Sequence, residues 1–344
     1  MLAAARRPGM LGPHNEKAGH VFEILTVIIG ILLALAVAAI IVALYLYFVT
    51  RRIGRRAEKA VPPAGKFITV DGNRIHYVER GEGRPILFIH GLGGTLHHFL
   101  YPVFRNFGAG YRLIALDRAG SGWSTRTDGS DGRLIDQAKG VHRFIETLGL
   151  EKPLLVGHSL GGAIALQTAL DYPDEISGLA LISPLTHFGG GIPEGFRPLF
   201  IISPWKRRLV AWTVSAPRAI KNAPAVLDFV FGPQKPPEDY AVAGGAMLGL
   251  RPSHFYATST DFCSSGRDLR RLQARYGELQ VPVGILFGDA DRVLDYEQHG
   301  LAMEGKVKGL DLEIVSGIGH MLQHALPEQT VAFIRRIAAR AFAA

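Results

Sequence analysis

This 344-residue chain implies a mostly parallel, doubly wound α/β sheet with a helical insertion and a membrane-length helix ahead of it. Three observations carry that expectation. Continuous apolar runs of strand length recur near 85–89, 112–116, 154–156, 178–182 and 281–287, as strands buried on both faces require. One of them, Leu154-Leu155-Val156, breaks into Gly157-His158-Ser159-Leu160-Gly161-Gly162, and small and apolar residues then resume at helical spacing. Finally, Ile24–Val49 is a block of 26 residues without a charge.

That block comes first in the chain. As a helix it would be about 39 Å long, against roughly 30 Å of hydrocarbon, so it can span a bilayer with some tilt. A secretory signal is the rival reading, but its apolar region runs to only about 7–15 residues. Tyr45 and Tyr47 stand near one end as interfacial aromatics, and Arg51, Arg52, Arg55 and Arg56 follow. Residues 1–66 hold nine Lys/Arg against three acids, which is +6 of the chain's +8. The basicity therefore belongs to the flanks of the apolar block and points to a membrane surface, not to nucleic acid. The heavier basic flank follows the block, so the positive-inside rule leans the large C-terminal part toward the cytoplasm. Cys263 stands alone, which excludes an intramolecular disulfide, and no Cys/His spacing suggests a zinc site. Ala57–Gly65, with Pro62-Pro63, reads as a linker.

Phe67–Val70 and Arg74–Val78 flank Asp71-Gly72-Asn73 and form a hairpin signal. Pro85–Ile89 is a buried strand that ends in His90-Gly91-Leu92-Gly93-Gly94. Glycines there let backbone N–H groups face a cavity, where an acyl-transfer site needs donors for a developing oxyanion. Arg112–Leu116 is the next strand, ending in the polar block Asp117–Ser124; Ile135–Leu148 is an amphipathic helix. The Gly157–Gly161 turn matches G-x-S-x-G, in which a serine sits at the strained apex of a strand-to-helix turn with its side chain projecting outward.

With those residues in view, the chain resembles the α/β-hydrolase superfamily. His90-Gly91, Asp117-Arg118-Ala119-Gly120-Ser121-Gly122-Trp123-Ser124 and Gly157–Gly161 follow its order and spacing across roughly 66–340. The subgroup looks like serine esterases, monoacylglycerol-lipase-like enzymes and cofactor-free haloperoxidase-like proteins. Members commonly carry proline where Ala119 stands, a position with no catalytic role in the family. The resemblance implies an α/β-hydrolase fold, Ser159 as nucleophile and backbone N–H groups of Leu92 and Leu160 as the oxyanion hole. It also implies an acid and then a histidine further along. Asp291 fits the family's G-x-x-D pattern after Val281–Phe287, with Asp289 and Asp295 as competitors. His320, in Gly317-Ile318-Gly319-His320 after Leu312–Val315, is the base expected, with His324 one helical turn beyond as a weaker alternative. His158 and His90 read as structural. No metal and no cofactor are expected.

From Pro184 to about Gln280 the strand pattern gives way to prolines and helical-looking pieces: Trp205–Ser215, Pro224–Phe231 and Tyr240–Leu248. Pro204 and Pro224 sit where helices would begin. This is where the family places a helical cap; its aromatics, such as Phe200, Trp205, Trp212, Phe229 and Tyr256, suit an apolar acyl pocket beneath it, although most read better as the cap's own core. The expected division is a tail (1–23), a transmembrane helix (24–50), a basic linker (51–65), a core (66–184 and 281–344) and a cap (185–280). The expected function is a membrane-anchored serine hydrolase cleaving carboxylic esters, lipophilic ones above all, through an acyl-enzyme. A serine at the elbow argues against the haloalkane dehalogenases and epoxide hydrolases of this fold, which place aspartate there. Lactonase, thioesterase, C–C bond hydrolase and perhydrolase chemistry use the same three residues, and a non-catalytic ligand-binding relative is the alternative of a different kind.

Overall fold

The computed structural model describes residues 13–127, 129–189 and 191–343. The chain divides into two compact units, one ending at Phe48 and the other beginning at Val49. The first consists of most of one long helix, α1 (Pro13–Ala60). Its most apolar window has a mean hydropathy of 3.3, and none of that window is buried in protein.

The helix does not stop at the basic stretch. It continues to Ala60, and the irregular linker shrinks to 61–65. Arginine, lysine and alanine favour helix, and one face of this last part is buried in the second unit. Thr50 donates to Thr213 O. Glu58 accepts from Arg251 Nε at 2.8 Å. Trp123 Nε1 donates to Val61 O at 3.0 Å.

The second unit opens with β1 (Lys66–Val70) and β2 (Asn73–Arg80), joined by Asp71 and Gly72 with φ of 46° and 75°. Two consecutive positive φ values are what a tight hairpin needs, and Asp-Gly supplies them. Then come β3 (Arg84–Ile89), the short α2 (His97–Leu100), β4 (Tyr111–Leu116), α3 (Leu134–Leu148), β5 (Leu154–His158), α4 (Leu160–Asp171) and β6 (Gly178–Ile182). The insertion carries α5 (Pro204–Trp212), α6 (Ser215–Phe231) and α7 (Pro252–Gln273). The chain closes with β7 (Val283–Gly288), α8 (Tyr296–His299), β8 (Asp311–Val315), α9 (Leu322–Ala325) and α10 (Pro327–Ala341).

The eight strands form one sheet in the order β1-β2-β4-β3-β5-β6-β7-β8. Only the pairs β1/β2 and β2/β4 are antiparallel. Alternate side chains of the central strands feed two cores. Leu87, Ile89, Leu155 and Leu181 pack with α3 and α4 on one face. Ile86, Phe88, Val156 and Ile182 pack with Phe99, Phe333 and Ile337 on the other. The chain winds outward from β3 in both directions, so β3 and β5 flank the switch point, with Ile89 opposite Gly157. In open parallel sheets the crevice beyond the carboxyl ends at that point is where ligands bind.

Two readings of the insertion change. Pro224 does not start a helix; it lies inside the 17-residue α6. The piece Tyr240–Leu248, read as helical, is a run of turns followed by the short 3₁₀ helix Ala246–Leu250, and the 22-residue α7 after it has no helical signal in the sequence. The buried face of α7 is largely polar, with Ser259, Asp261, Ser264 and Asp268 inside. Apolar periodicity could not reveal such a helix.

Candidate active site

Ser159 sits between the end of β5 and the start of α4 with φ 55° and ψ −121°. A non-glycine residue in that region is strained, and its neighbours must allow the turn. They do so by being small. A Cβ on Gly157 would lie 2.6 Å from Gly161 O, and one on Gly161 would lie 2.1 Å from Ile89 O. The turn is pinned by Ser159 N donating to Ile182 O at 3.0 Å, and by Leu185 N donating to Ser159 O at 3.0 Å. Ser159 itself remains partly open to solvent.

The loop after β3 comes right up to this serine. A Cβ on Gly91 would lie 2.9 Å from Ser159 Cβ, so only glycine fits there. Arg118 fixes the loop's direction: its Nε donates to His90 O and its Nη2 to Gly91 O, both at 3.0 Å. Leu92 follows Gly91 on this loop. Leu160 is the first residue of α4, so its N–H is among those a helix start leaves without an intrahelical partner.

A carboxylate–imidazole pair comes from the segments that follow β7 and β8. His320 Nδ1 is 2.7 Å from Asp291 Oδ2, and both side chains are almost fully buried. Asp291 is itself held, because its Oδ1 accepts from Val293 N at 2.7 Å and Leu294 N at 3.0 Å. With Nδ1 facing a carboxylate, the neutral imidazole carries its proton there and leaves Nε2 as the basic nitrogen. The competitors are occupied elsewhere. Asp289 accepts from Ser316 Oγ and Gly317 N, and Asp295 caps α8 by accepting from Gln298 N at 2.8 Å.

His158 joins the two halves. It precedes Ser159, its Nε2 donates to His320 O at 3.1 Å, and its ring lies 4.8 Å from that of His320. The serine turn and the His320 loop are therefore neighbours. Burial pushes the His158 imidazole well below its ordinary pKa, with His320 and His98 nearby adding to the effect. His324 is pushed down to about 4 by burial; it packs against Tyr240 and Phe231 and its ring nitrogens have no hydrogen-bond partner. His90 is structural: Nδ1 meets Gly91 O at 2.8 Å and Nε2 accepts from Arg118 N at 3.0 Å. The Asp117 block is also structural, since the buried Asp117 binds His76 Nδ1, Leu96 N and Trp123 N.

One contact was not legible in the sequence. Gln234, just past α6, holds the His320 loop: its Oε1 accepts from Gly319 N at 2.9 Å and its Nε2 donates to Gly317 O at 2.8 Å. α6 itself reaches the Asp291 loop, where Arg292 Nη1 donates to Asp228 Oδ2 at 3.0 Å. No local motif marks Gln234; only the fold carries it to the His320 loop.

The sequence profile of the alpha/beta hydrolase fold matches residues 84–325, well over half of the chain, and the chain belongs to that family. The family makes it a hydrolase by kinship. Among relatives, a 2-hydroxy-6-oxononadienedioate/2-hydroxy-6-oxononatrienedioate hydrolase from Comamonas testosteroni is 28% identical over 75% of this chain and 90% of its own length. A dihydrolipoyllysine-residue acetyltransferase component of an acetoin-cleaving system from Cupriavidus necator is 37% identical, over 44% of this chain. The chain spans only 40% of that relative's length. Among solved structures, a bacterial membrane phospholipase A aligns with a TM-score of 0.66 at 26% identity, covering 93% of this chain and 99% of its own. An esterase from Exiguobacterium antarcticum aligns at 0.61 with 23% identity, over 79% of this chain and 99% of its own, and shows the shared fold.

Proposed function

We propose that the protein is a membrane-anchored serine hydrolase that cleaves lipophilic carboxylic esters. The observation that carries this reading is an Asp291–His320 pair held at 2.7 Å whose imidazole lies 4.8 Å from the ring of His158, the residue just before the strained Ser159. His320 Nε2 takes the Ser159 proton as Oγ attacks the ester carbonyl, and Asp291 holds the imidazole and stabilises its charged form. The N–H groups of Leu92 and Leu160 receive the oxyanion. The alcohol leaves with the proton from His320, and water then attacks the acyl-enzyme with the same histidine as base.

Ile24–Val49 supports the membrane part of the reading, as does kinship with a membrane phospholipase A. The proposed division is an anchor at 24–50, a hydrolase core at 66–184 and 281–344, and a cap at 185–280. The catalytic unit faces the cytoplasm in this reading, because the basic residues cluster after the apolar block. A C-terminal reporter active only outside the cytoplasm would overturn that orientation.

The relative from Comamonas testosteroni favours a second reading, hydrolysis of a 2-hydroxy-6-oxo-dienoic acid on the same residues. A panel of p-nitrophenyl esters from C4 to C16, with a monoacylglycerol and one such dienoic acid, separates the two. Rates rising with acyl length support the ester reading; turnover of the dienoic acid alone supports the other.

A further inference from the structure

Beyond the serine site, the second unit holds a cavity of about 950 Å³ between the Asp117–Ser124 block, α5 and α7. That volume lies in the range of small-molecule sites. Ser159, Asp291 and His320 are not among its lining residues. Five arginines line it (Arg126, Arg207, Arg208, Arg251 and Arg267), against one carboxylate, Asp131, among the described lining residues. Trp123, Phe200, Trp212 and Tyr256 supply apolar wall between them.

Two of those guanidiniums are unusually placed. Arg207 is 5% exposed, and among the described residues its hydrogen bonds go to neutral acceptors: Ile201 O, Ser259 Oγ at 3.1 Å and Thr260 Oγ1 at 2.9 Å. Burying a cation without a counter-charge is costly unless something else supplies one. Arg126 has a side chain only 8% exposed and lies 2.7 Å from Asp261 Oδ1, but its Nη1 makes no hydrogen bond there. Asp261 is shared, since its other oxygen takes Arg118 Nη1 at 2.7 Å. One buried carboxylate thus faces two buried guanidiniums. The remaining wall stacks charge on rings, with the Arg251 guanidinium 4.7 Å from the Trp123 ring centre.

We propose that this cavity binds an anionic amphiphile, with a phosphate or carboxylate head among the arginines and an aliphatic tail along the aromatic wall. Guanidinium groups bind such heads with charge-assisted, often bidentate hydrogen bonds. The head group supplies negative charge to Arg207, whose partners among the described residues are neutral, and to Arg118 and Arg126, which share the single Asp261 carboxylate, while the aromatic faces exclude water from the tail. The inference does not require Ser159 to be catalytic.

The test uses the full chain in phosphatidylcholine nanodiscs. Trp123 and Trp212 line the cavity, so their fluorescence reports occupancy; the third tryptophan, Trp205, is not in its wall. Octyl phosphate, octanoate, octanol and inorganic phosphate are titrated separately. Saturable changes with octyl phosphate or octanoate are expected, roughly tenfold tighter than with octanol. Octyl phosphate binding tighter assigns a lipid headgroup, and octanoate binding tighter assigns a free acid. Ser159→Ala keeps the binding, while Arg126→Gln, checked for folding by circular dichroism, weakens it roughly tenfold. Equal binding of octanol, binding of inorganic phosphate as tight as octyl phosphate, loss in Ser159→Ala, or no binding by wild type would each overturn the proposal. Unchanged binding by a folded Arg126→Gln would do so as well.

Discussion

Ser159 carries the account at the residue scale. Its backbone is held at φ 55° by packing around it, so the side chain contributes little to stability. Ser159→Ala is therefore expected to lose ester hydrolysis while unfolding within about 1 kcal/mol of wild type. Steady-state rates beside a denaturant melt check both halves, and retained hydrolysis would refute the nucleophile. Asp291 has a different task. Its Oδ2 sets the His320 tautomer at 2.7 Å, so Asp291→Asn, which presents the wrong hydrogen-bonding partner, should lower kcat by a factor on the order of 10³–10⁴. Much of this was legible because the chemistry leaves short local patterns. Gly157 and Gly161 must be glycine where a Cβ would strike backbone, and that necessity is what G-x-S-x-G records. The G-x-x-D pattern already singles out Asp291 over Asp289 and Asp295, but the partner each carboxylate reaches across the loop appears only in the fold.

Strand elements and α5 announced themselves and α7 did not, for one physical reason. β3, β5, β6 and β7 are almost wholly buried, so their sequences are continuous apolar runs. The helix α7 buries serine, threonine and aspartate and pairs them with arginines from elsewhere, as in the contact of Asp268 with Arg133 at 2.6 Å. That pairing is invisible until the chain is folded. Element contacts also make two testable demands. Gly161→Ala puts a methyl 2.1 Å from Ile89 O in a rigid strand, and should destabilise by about 3 kcal/mol or more, read as a fall in denaturation midpoint. Gln234 ties the segment after α6 to Gly317 O and to the N–H of Gly319, one residue from His320. Gln234→Ala should lower kcat roughly tenfold with KM nearly unchanged, since a slightly displaced base slows chemistry and not binding. A rise in KM alone would mean that Gln234 serves the pocket and not the base.

At the scale of the whole molecule, burial of imidazoles links stability to pH. His98 and His158 are pushed well below their ordinary range by burial, and His254 and His324 are pushed down from 6.5 to about 4. The unfolded chain protonates these rings near 6.5, and the folded protein resists until about pH 4. Between those values the unfolded state binds more protons, so stability rises with pH and is lost as pH falls through that window. The melting temperature of the second unit should drop steadily from pH 7 to pH 4.5, and a flat profile would contradict the buried neutral histidines. The 26-residue uncharged block fixes a second whole-molecule expectation. The protein should stay with membranes after alkaline carbonate extraction, as a spanning helix does and a peripheral protein does not.

The most direct measurement is the site of covalent labelling by a fluorophosphonate, located by peptide mass spectrometry on the full-length protein in membranes. The account predicts one adduct, on Ser159, lost in His320→Ala because the hydroxyl then has no base. A folded wild type that stays unlabelled, or an adduct on another residue, would contradict it.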